Sequence, residues 1–250
     1  MTRNFAFALL AAATMVAGVT AAPVPSYVKA AVEDSKRPAD DTKRDVDRKP
    51  ADMLVFAGIK PGMKVMDLMP GGGYFTRLFA VAVGPKGWVY AFQPREEDGF
   101  LKGKPAPVIK VAADYPNVSV VYESINKLSA PELLDVVWTS QNYHDLKNDN
   151  MKPADTAQVN KAVFDALKPG GIYIVLDHSA PKGSGTADTN TLHRIDEAVV
   201  KKEVEAAGFK LVAESNALRN PKDTRDKIVF DPSIRGHTDQ FIMKFRKPAK

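Results

Sequence analysis

Residues 64–83, KVMDLMPGGGYFTRLFAVAV, contain the pattern that decides the fold of this chain. A short apolar run carrying Asp67 leads into three consecutive glycines, Gly71, Gly72 and Gly73, and then into an amphipathic segment over 74–83. This order predicts a strand, a glycine loop and a helix. Glycines let the backbone approach a ligand closely, and the free N–H groups at a helix N-terminus attract polar or anionic groups. The stretch therefore predicts a ligand-binding turn.

Apolar runs and amphipathic segments continue to alternate along the rest of the chain. Such alternation predicts an α/β fold with a doubly wound sheet that is mostly parallel and covered by helices on both faces. Seven strands are predicted, the last one antiparallel, at residues 64–68, 88–92, 118–122, 133–139, 172–176, 209–215 and 240–245. Helices are predicted at residues 50–58, 74–83, 106–114, 157–167 and 192–207.

Residues 1–22 have the features of a secretory signal peptide. Arg3 precedes an apolar stretch over 5–19, and small residues follow at Ala21 and Ala22, where cleavage would occur. We therefore expect an exported protein, periplasmic or secreted; an uncleaved N-terminal anchor is the alternative. No later segment is long and apolar enough to predict a membrane span. Residues 23–49 are predicted to form a polar, partly helical N-terminal extension over the edge of an α/β domain at residues 50–250.

Composition limits the chemistry that the chain can perform. Its 250 residues, of which 44% are hydrophobic, suffice for a full α/β domain. The formal charge of +5 is diffuse apart from the tail at 244–250, so nucleic acid is an unlikely partner. The sequence has no cysteine, which excludes disulfides, thiolate metal sites and cysteine nucleophiles.

A second glycine motif, Leu167-Lys168-Pro169-Gly170-Gly171, ends a predicted helix and begins the next strand. Proline breaks the helix, and the two glycines supply a permissive turn. Together with the first glycine turn, this motif resembles the class I S-adenosylmethionine-dependent methyltransferases, over residues 50–178 and more loosely over 193–215. The resemblance implies a Rossmann-like fold and methyl transfer from S-adenosylmethionine to a small-molecule or protein acceptor.

The same resemblance implies which residues hold the cofactor. In the family, the loop after the first strand binds the methionine part, which assigns Asp67, Gly71, Gly72 and Gly73 here; Met69 takes the place of a usual glycine. The position of the ribose-binding acid is occupied by Gln93, with Glu96 as a possible substitute. Adenine contacts would come after the third strand, from Ser124 (or Glu123) and from Ile125.

The segment after the fourth predicted strand, residues 140–145, carries the candidate chemistry. Methyl transfer requires mainly that the acceptor is aligned, and sometimes that a proton is removed from it. His144 is the candidate base because its ordinary pKa lies near working pH. Asp145 would orient it, and Asn142 and Tyr143 would hydrogen-bond the acceptor. The alternative is a histidine packed at the end of a strand.

No metal site is predicted, because none of the four histidines has a close metal-ligand spacing. His144, His178 and His193 are nevertheless placed so that they could converge with Asp177 in one cleft.

Two other functions stay open: an exported, non-catalytic binding domain on a methyltransferase scaffold, and a Rossmann-type oxidoreductase. The oxidoreductase is disfavoured because its spaced glycine fingerprint is missing.

Two long polar stretches are predicted as loops. Residues 179–191 contain Gly183 and Gly185 and are predicted to be mobile, and residues 216–238 form an insertion before the last strand. Loops of this length are frequently lids or binding loops. Ordinary surface decoration is the alternative.

Overall fold

A computed structural model of the chain describes residues 23–151 and 154–249, and its centre is a seven-stranded sheet. The strands are β1 Lys64–Leu68, β2 Trp88–Pro94, β3 Val118–Glu123, β4 Leu134–Ser140, β5 Leu167–His178, β6 Lys210–Ser215 and β7 Gln240–Arg246. Their order in the sheet is β3-β2-β1-β4-β5-β7-β6, and neighbouring strands are parallel except where β7 pairs with β5 and β6. The predicted α/β sheet with an antiparallel last strand is confirmed.

Helices cover both faces of this sheet in the described residues. Side chains alternate along each strand, so Val65 of β1 packs in a hydrophobic cluster on one face and Met66 packs in another on the opposite face. The helices are α1 Ser26–Val32, α2 Ala39–Thr42, α3 Asp45–Arg48, α4 Pro50–Ala57, α5 Tyr74–Val83, α6 Asp98–Leu101, α7 Val108–Asp114, α8 Thr156–Ala166, α9 Thr189–Leu192 and α10 Glu197–Ala206. The first cluster includes residues of α1, α4, α5 and α7, and the second includes residues of α8 and α10.

The strand order reverses between β1 and β4, and this reversal positions the site. The chain runs outward through β2 and β3 on one side of β1 and then returns to β4 on the other side. Pairing of Leu68 with Thr139 sets the carboxyl ends of β1 and β4 side by side. In open α/β sheets a crevice forms at such a point, because the connections leave in opposite directions.

The N-terminal extension, residues 23–49, packs on α5. Arg37 donates two hydrogen bonds to Asp45, at 2.6 and 2.8 Å, and the hydroxyl of Tyr74 donates to the same carboxylate at 2.6 Å. A second ion pair joins Arg77 of α5 to Asp41 at 3.0 Å. These bonds place α3 next to the glycine turn that precedes α5.

The prediction of a single helix from residue 192 is wrong at its start, because α10 begins at Glu197. Ahead of α10, His193 adopts a left-handed φ of 54°. The backbone N–H of Ile195 donates to the carbonyl of His178 at 3.0 Å, forming a short bridge beside the end of β5. This pairing keeps residues 193–195 out of the helix.

The insertion at 216–238 is a loop, as predicted, and it is fastened by a buried ion pair. Arg194 donates to both carboxylate oxygens of Asp223, at 2.8 and 3.1 Å.

Across the described residues, no helix combines the length and apolarity needed to cross a bilayer. The predicted signal peptide at 1–22 lies outside the described residues.

Candidate functional site

A cavity of about 470 Å³ opens at the carboxyl ends of β1 and β4. This is the crevice that the strand order predicts. The walls combine residues proposed from the sequence with others that sequence reasoning missed. The first group is Asp67, Gly71, Gly72, Asn142 and His144, and the second includes Arg48, Glu97 and Phe230.

Asp67 and Gly71 form the floor of the cavity at the end of β1. The carboxylate of Asp67 is buried and accepts a hydrogen bond of 2.6 Å from the Thr76 hydroxyl. Burial raises the pKa of Asp67 to about 6. Gly71 has φ +53°, and a Cβ added there would meet no atom within 4 Å. The turn at Gly71 is therefore open to a ligand.

Gly73 serves a different purpose from Gly71. Its φ is +77°, and an added Cβ would lie 2.6 Å from a methyl carbon of Val111 in α7. It is absent from the residues that line the cavity. Glycine is therefore required here by the close packing of the α5 N-terminus on α7.

Met69 holds a backbone conformation that normally favours glycine. Its φ is +61°, and its backbone N–H donates to the carbonyl of Phe92 at 3.0 Å. The side-chain amide of Asn142 donates to the Met69 carbonyl at 2.7 Å. The turn thus keeps a glycine-like path without glycine, and Asn142 ties it to the end of β4.

The acidic group that faces the cleft after β2 is Glu97. The sequence predicted Gln93 for this position, with Glu96 as its substitute. Gln93 is buried and does not line the cavity; its amide donates to the Glu97 carboxylate. Glu97 lines the cavity, and burial raises its pKa to about 7, with Asp145 adding to the increase. The short 3₁₀ turn Arg95–Glu97 places this side chain facing the cleft. The three consecutive acidic residues at 96–98 are the sequence feature that could have indicated this group.

Ser124 and Ile125, the proposed adenine contacts, lie outside the cavity lining. Glu96 accepts a hydrogen bond of 2.7 Å from the Ser124 hydroxyl and one of 3.0 Å from the backbone N–H of Ile125. The polar groups expected to bind adenine are thus engaged by a carboxylate of the protein itself.

Tyr143 is oriented away from the cleft, in contrast to the expectation that it faces an acceptor. Its ring is buried in the hydrophobic cluster beneath α8 and α10. Its hydroxyl accepts a hydrogen bond of 2.7 Å from Asn160 and donates one of 3.0 Å to Glu203. Tyr143 therefore anchors the segment that carries His144.

His144 is buried at the cleft wall and is held by a carboxylate at the end of β5. Its ring Nδ1 lies 2.8 Å from Asp177, and its backbone N–H donates to the other oxygen of that carboxylate at 2.7 Å. Burial alone would lower the pKa of His144, but Asp177 and Asp145 outweigh it and raise the pKa to about 10. With this pKa His144 donates hydrogen bonds at neutral pH, so a general-base role does not fit it in this state.

The structure brings His178 and His193 to the same wall. His193 Nδ1 lies 3.2 Å from His144 Nε2, and the ring of His178 lies 6.1 Å from that of His144, between centroids. The Nδ1 atom of His178 is paired with the hydroxyl of Thr238 at 2.7 Å. The predicted convergence of three histidines with Asp177 is therefore observed.

Arg48 of α3 closes the cleft from the N-terminal extension. Its guanidinium lies 4.4 Å from the ring centre of Tyr74 and 5.0 Å from that of Phe75, and it donates to the side chain of Gln141 at 3.1 Å. Beyond it, a second cavity of about 370 Å³ continues between the extension and the 216–238 insertion. Arg48 and Phe230 line both spaces.

Comparison with known proteins identifies relatives by sequence. No family model matches the chain. The ubiquinone/menaquinone biosynthesis C-methyltransferase of Shewanella woodyi is 30% identical over 190 residues, which are 75% of this chain and 65% of that protein. The chain thus spans slightly less than two thirds of the length of this curated relative.

Solved structures share the fold. An S-adenosylmethionine-dependent methyltransferase from Aquifex aeolicus superimposes with a TM-score of 0.55 at 18% identity, covering 84% of this chain and 98% of that one. The [4+2]-cyclase SpnF superimposes with a TM-score of 0.58 at 16% identity, covering 85% and 82%. The second likeness illustrates that this fold alone does not determine a reaction.

Proposed function

Because this chain is similar in sequence to a C-methyltransferase and shares the fold of S-adenosylmethionine-dependent methyltransferases, we propose that it belongs to the class I family of these enzymes and transfers a methyl group from S-adenosylmethionine to an acceptor. One observation carries the proposal: the cavity beyond β1 combines an open glycine turn at Gly71 with the buried carboxylate of Asp67 and the half-buried carboxylate of Glu97. An open turn suits close approach of a ligand, and carboxylates suit hydroxyl groups and positive charge. When bound, the cofactor supplies an electrophilic methyl group on a positively charged sulfur.

Different residues of the chain would bind the cofactor and orient the acceptor. The turn at Gly71 would hold the methionine part, and Glu97 would accept hydrogen bonds from the ribose hydroxyls in place of Gln93. His144, fixed by Asp177, would form the wall beside the acceptor and limit its orientation.

We propose a small molecule as the acceptor, with an anionic or oxygen-rich group on an apolar body. The support is the second cavity, where Arg44, Arg48 and Arg235 lie near the half-exposed ring of Phe230. Guanidinium groups bind carboxylates and other oxygen-rich groups, and the ring offers an apolar contact.

Calorimetric titration of the chain from Pro23 onward with S-adenosylmethionine, and separately with its demethylated product, tests this function. We expect one site with micromolar affinity for each ligand. An absence of heat at millimolar ligand would contradict methyl transfer and favour the second candidate, a non-catalytic binding domain. The engagement of Ser124 and Ile125 by Glu96 is the observation that favours that candidate.

Cofactor affinity is expected to fall about ten-fold between pH 8 and pH 6. The reason is that the pKa of Glu97 is raised to about 7, so its carboxylate is mostly ionised at pH 8 and mostly protonated at pH 6. Only the ionised group can accept hydrogen bonds from both ribose hydroxyls. Calorimetry at both pH values measures the change.

Glu97→Gln should bind weakly at both pH values and lose most of this dependence. Glu214→Gln, which changes an exposed carboxylate on β6, should behave like the unmodified chain. An unchanged pH dependence in Glu97→Gln would show that another group causes it.

We further propose that the protein acts outside the cytoplasm. The support is the sequence of residues 1–22, with its single arginine, apolar stretch and small residues before Pro23. Cell fractionation tests this: the full chain should lie outside the cytoplasm, and a chain without residues 2–22 should stay inside.

A further inference from the structure

Three side chains on the cleft wall direct ligand-type atoms at one point. The distance from His144 Nε2 to His193 Nδ1 is 3.2 Å, that from His144 Nε2 to Asp145 Oδ1 is 3.3 Å, and that from His193 Nδ1 to Asp145 Oδ1 is 3.6 Å. The three atoms form a nearly equilateral triangle. When both imidazole nitrogens donate to Asp145, the 3.2 Å edge between them joins two N–H groups and has no acceptor, whereas a cation near the centre would engage all three atoms.

The edges of this triangle match those of a tetrahedral zinc site. With bonds of roughly 2.0–2.1 Å, the ligand atoms around zinc stand about 3.3–3.4 Å apart. We propose that His144, Asp145 and His193 bind a divalent transition metal of the zinc type. Two imidazoles and one carboxylate are a ligand set that suits zinc.

The surroundings of His144 support this assignment. Asp177 lies 2.8 Å from its Nδ1 and so fixes the ring with Nε2 directed at the triangle. Metal-binding histidines usually donate their second ring N–H to such a carboxylate, which orients the ring and raises its affinity for the metal. Asp177 is fully buried, so its position is set by the end of β5.

His193 reaches the triangle through an unusual backbone conformation. It follows α9 with φ 54°, in the left-handed region that a non-glycine residue occupies at a cost. The bridge between Ile195 and the end of β5 holds this conformation in place. Strain of this kind, retained at a residue that completes a cluster, is consistent with a functional position.

The three ligands leave a coordination position open toward the cleft. All three residues line the cavity described above. Sites with three protein ligands and one open position are typical of catalytic zinc. If the proposed methyl transfer holds, an oxygen of the acceptor would take this position; that extension rests on the proposed function, whereas metal binding does not.

Titration of the metal-free chain with zinc chloride, in competition with a chromophoric chelator, tests the site. We expect one zinc ion per chain with a micromolar or tighter dissociation constant. His193→Ala and Asp145→Asn should weaken binding at least 100-fold, and Asp177→Asn about ten- to 100-fold. The matched control is His237→Ala: this histidine is exposed, pairs with Asp47 and should leave zinc affinity unchanged.

The outcomes separate the possibilities. Lack of stoichiometric zinc binding by the folded chain, or equal affinity in His193→Ala, would overturn the site. Because the His193 side chain is 24% exposed, its alanine variant should stay folded, which circular dichroism verifies. Cobalt should give the visible absorption of a four-coordinate site in the unmodified chain and not in His193→Ala. Zinc binding without cofactor binding would leave the metal site standing and remove only methyl transfer.

Discussion

Replacing Gly71 with leucine is expected to weaken S-adenosylmethionine binding at least 100-fold while the chain stays folded. A Cβ at this position meets no atom within 4 Å, so the leucine side chain would extend into the cavity without displacing the core. It would occupy the space that we assign to the methionine part of the cofactor. The positive φ of +53° adds a strain of roughly 1–2 kcal/mol. Calorimetry of the variant against the unmodified chain measures the loss.

Gly170→Leu is the matched control for this experiment. Gly170 has φ +80° and equally open surroundings. It lies near the start of β5, whereas the cleft is at the carboxyl ends of the parallel strands. The control should carry the same strain and bind the cofactor normally. Equal losses in both variants would point to strain as the cause, and no loss in Gly71→Leu would remove this turn from the cofactor site.

Replacing Arg194 with alanine is expected to lower the free energy of unfolding by about 3–5 kcal/mol. The Arg194 side chain is fully buried, and besides its two bonds to Asp223 it donates to the carbonyls of Ser179 and Lys227, at 3.1 and 2.9 Å. Its removal would leave the Asp223 carboxylate without this partner in a buried position, which costs more than the pair itself contributes. Urea denaturation measures the shift of the midpoint.

Lys161→Ala supplies the comparison for an exposed pair. Lys161 pairs with Asp165 on α8, and the two side chains are 62% and 59% exposed. Water screens such a pair, so this variant should lose no more than about 0.5 kcal/mol. A loss below about 1 kcal/mol in Arg194→Ala would show that other contacts hold the 216–238 insertion.

The fold could be predicted because its signals are local. Period-two and helical patterns mark the elements, and glycine and proline mark where each one ends. The largest strand error illustrates the limit. β5 begins at Leu167 and not at residue 172, because Gly170 and Gly171 exchange backbone hydrogen bonds with Lys247, a partner that the local pattern does not reveal.

The site was less predictable because it depends on side-chain direction and on distant segments. Glu96 and Glu97 are adjacent in sequence, yet a 3₁₀ turn directs one toward Ser124 and the other into the cleft. Tyr143 and His144 are also adjacent, and one enters the core while the other reaches the cleft wall. In such turns, an error of one residue in the sequence assignment exchanges a side chain that faces the cleft for one that does not.

Arg48 shows the same limit over a longer distance. Its contact with Gln141 joins residues 93 positions apart, and no pattern within the N-terminal extension indicates it. The sequence therefore predicted that the extension lies over the domain edge but not that it contributes a wall of the cavity.

Since the cleft walls come from the extension, the β1 turn, the segment after β4 and the insertion, a ligand that contacts all four segments binds only the fully assembled chain. Ligand binding is then thermodynamically linked to folding, and a ligand at 100 times its dissociation constant adds about 2.7 kcal/mol to the free energy of unfolding. A chain that lacks residues 23–49 would lose Arg48 and with it much of this gain. A bound ligand would thus join the N-terminal extension to the insertion near the C-terminus, and a rise in melting temperature would report that both segments hold it.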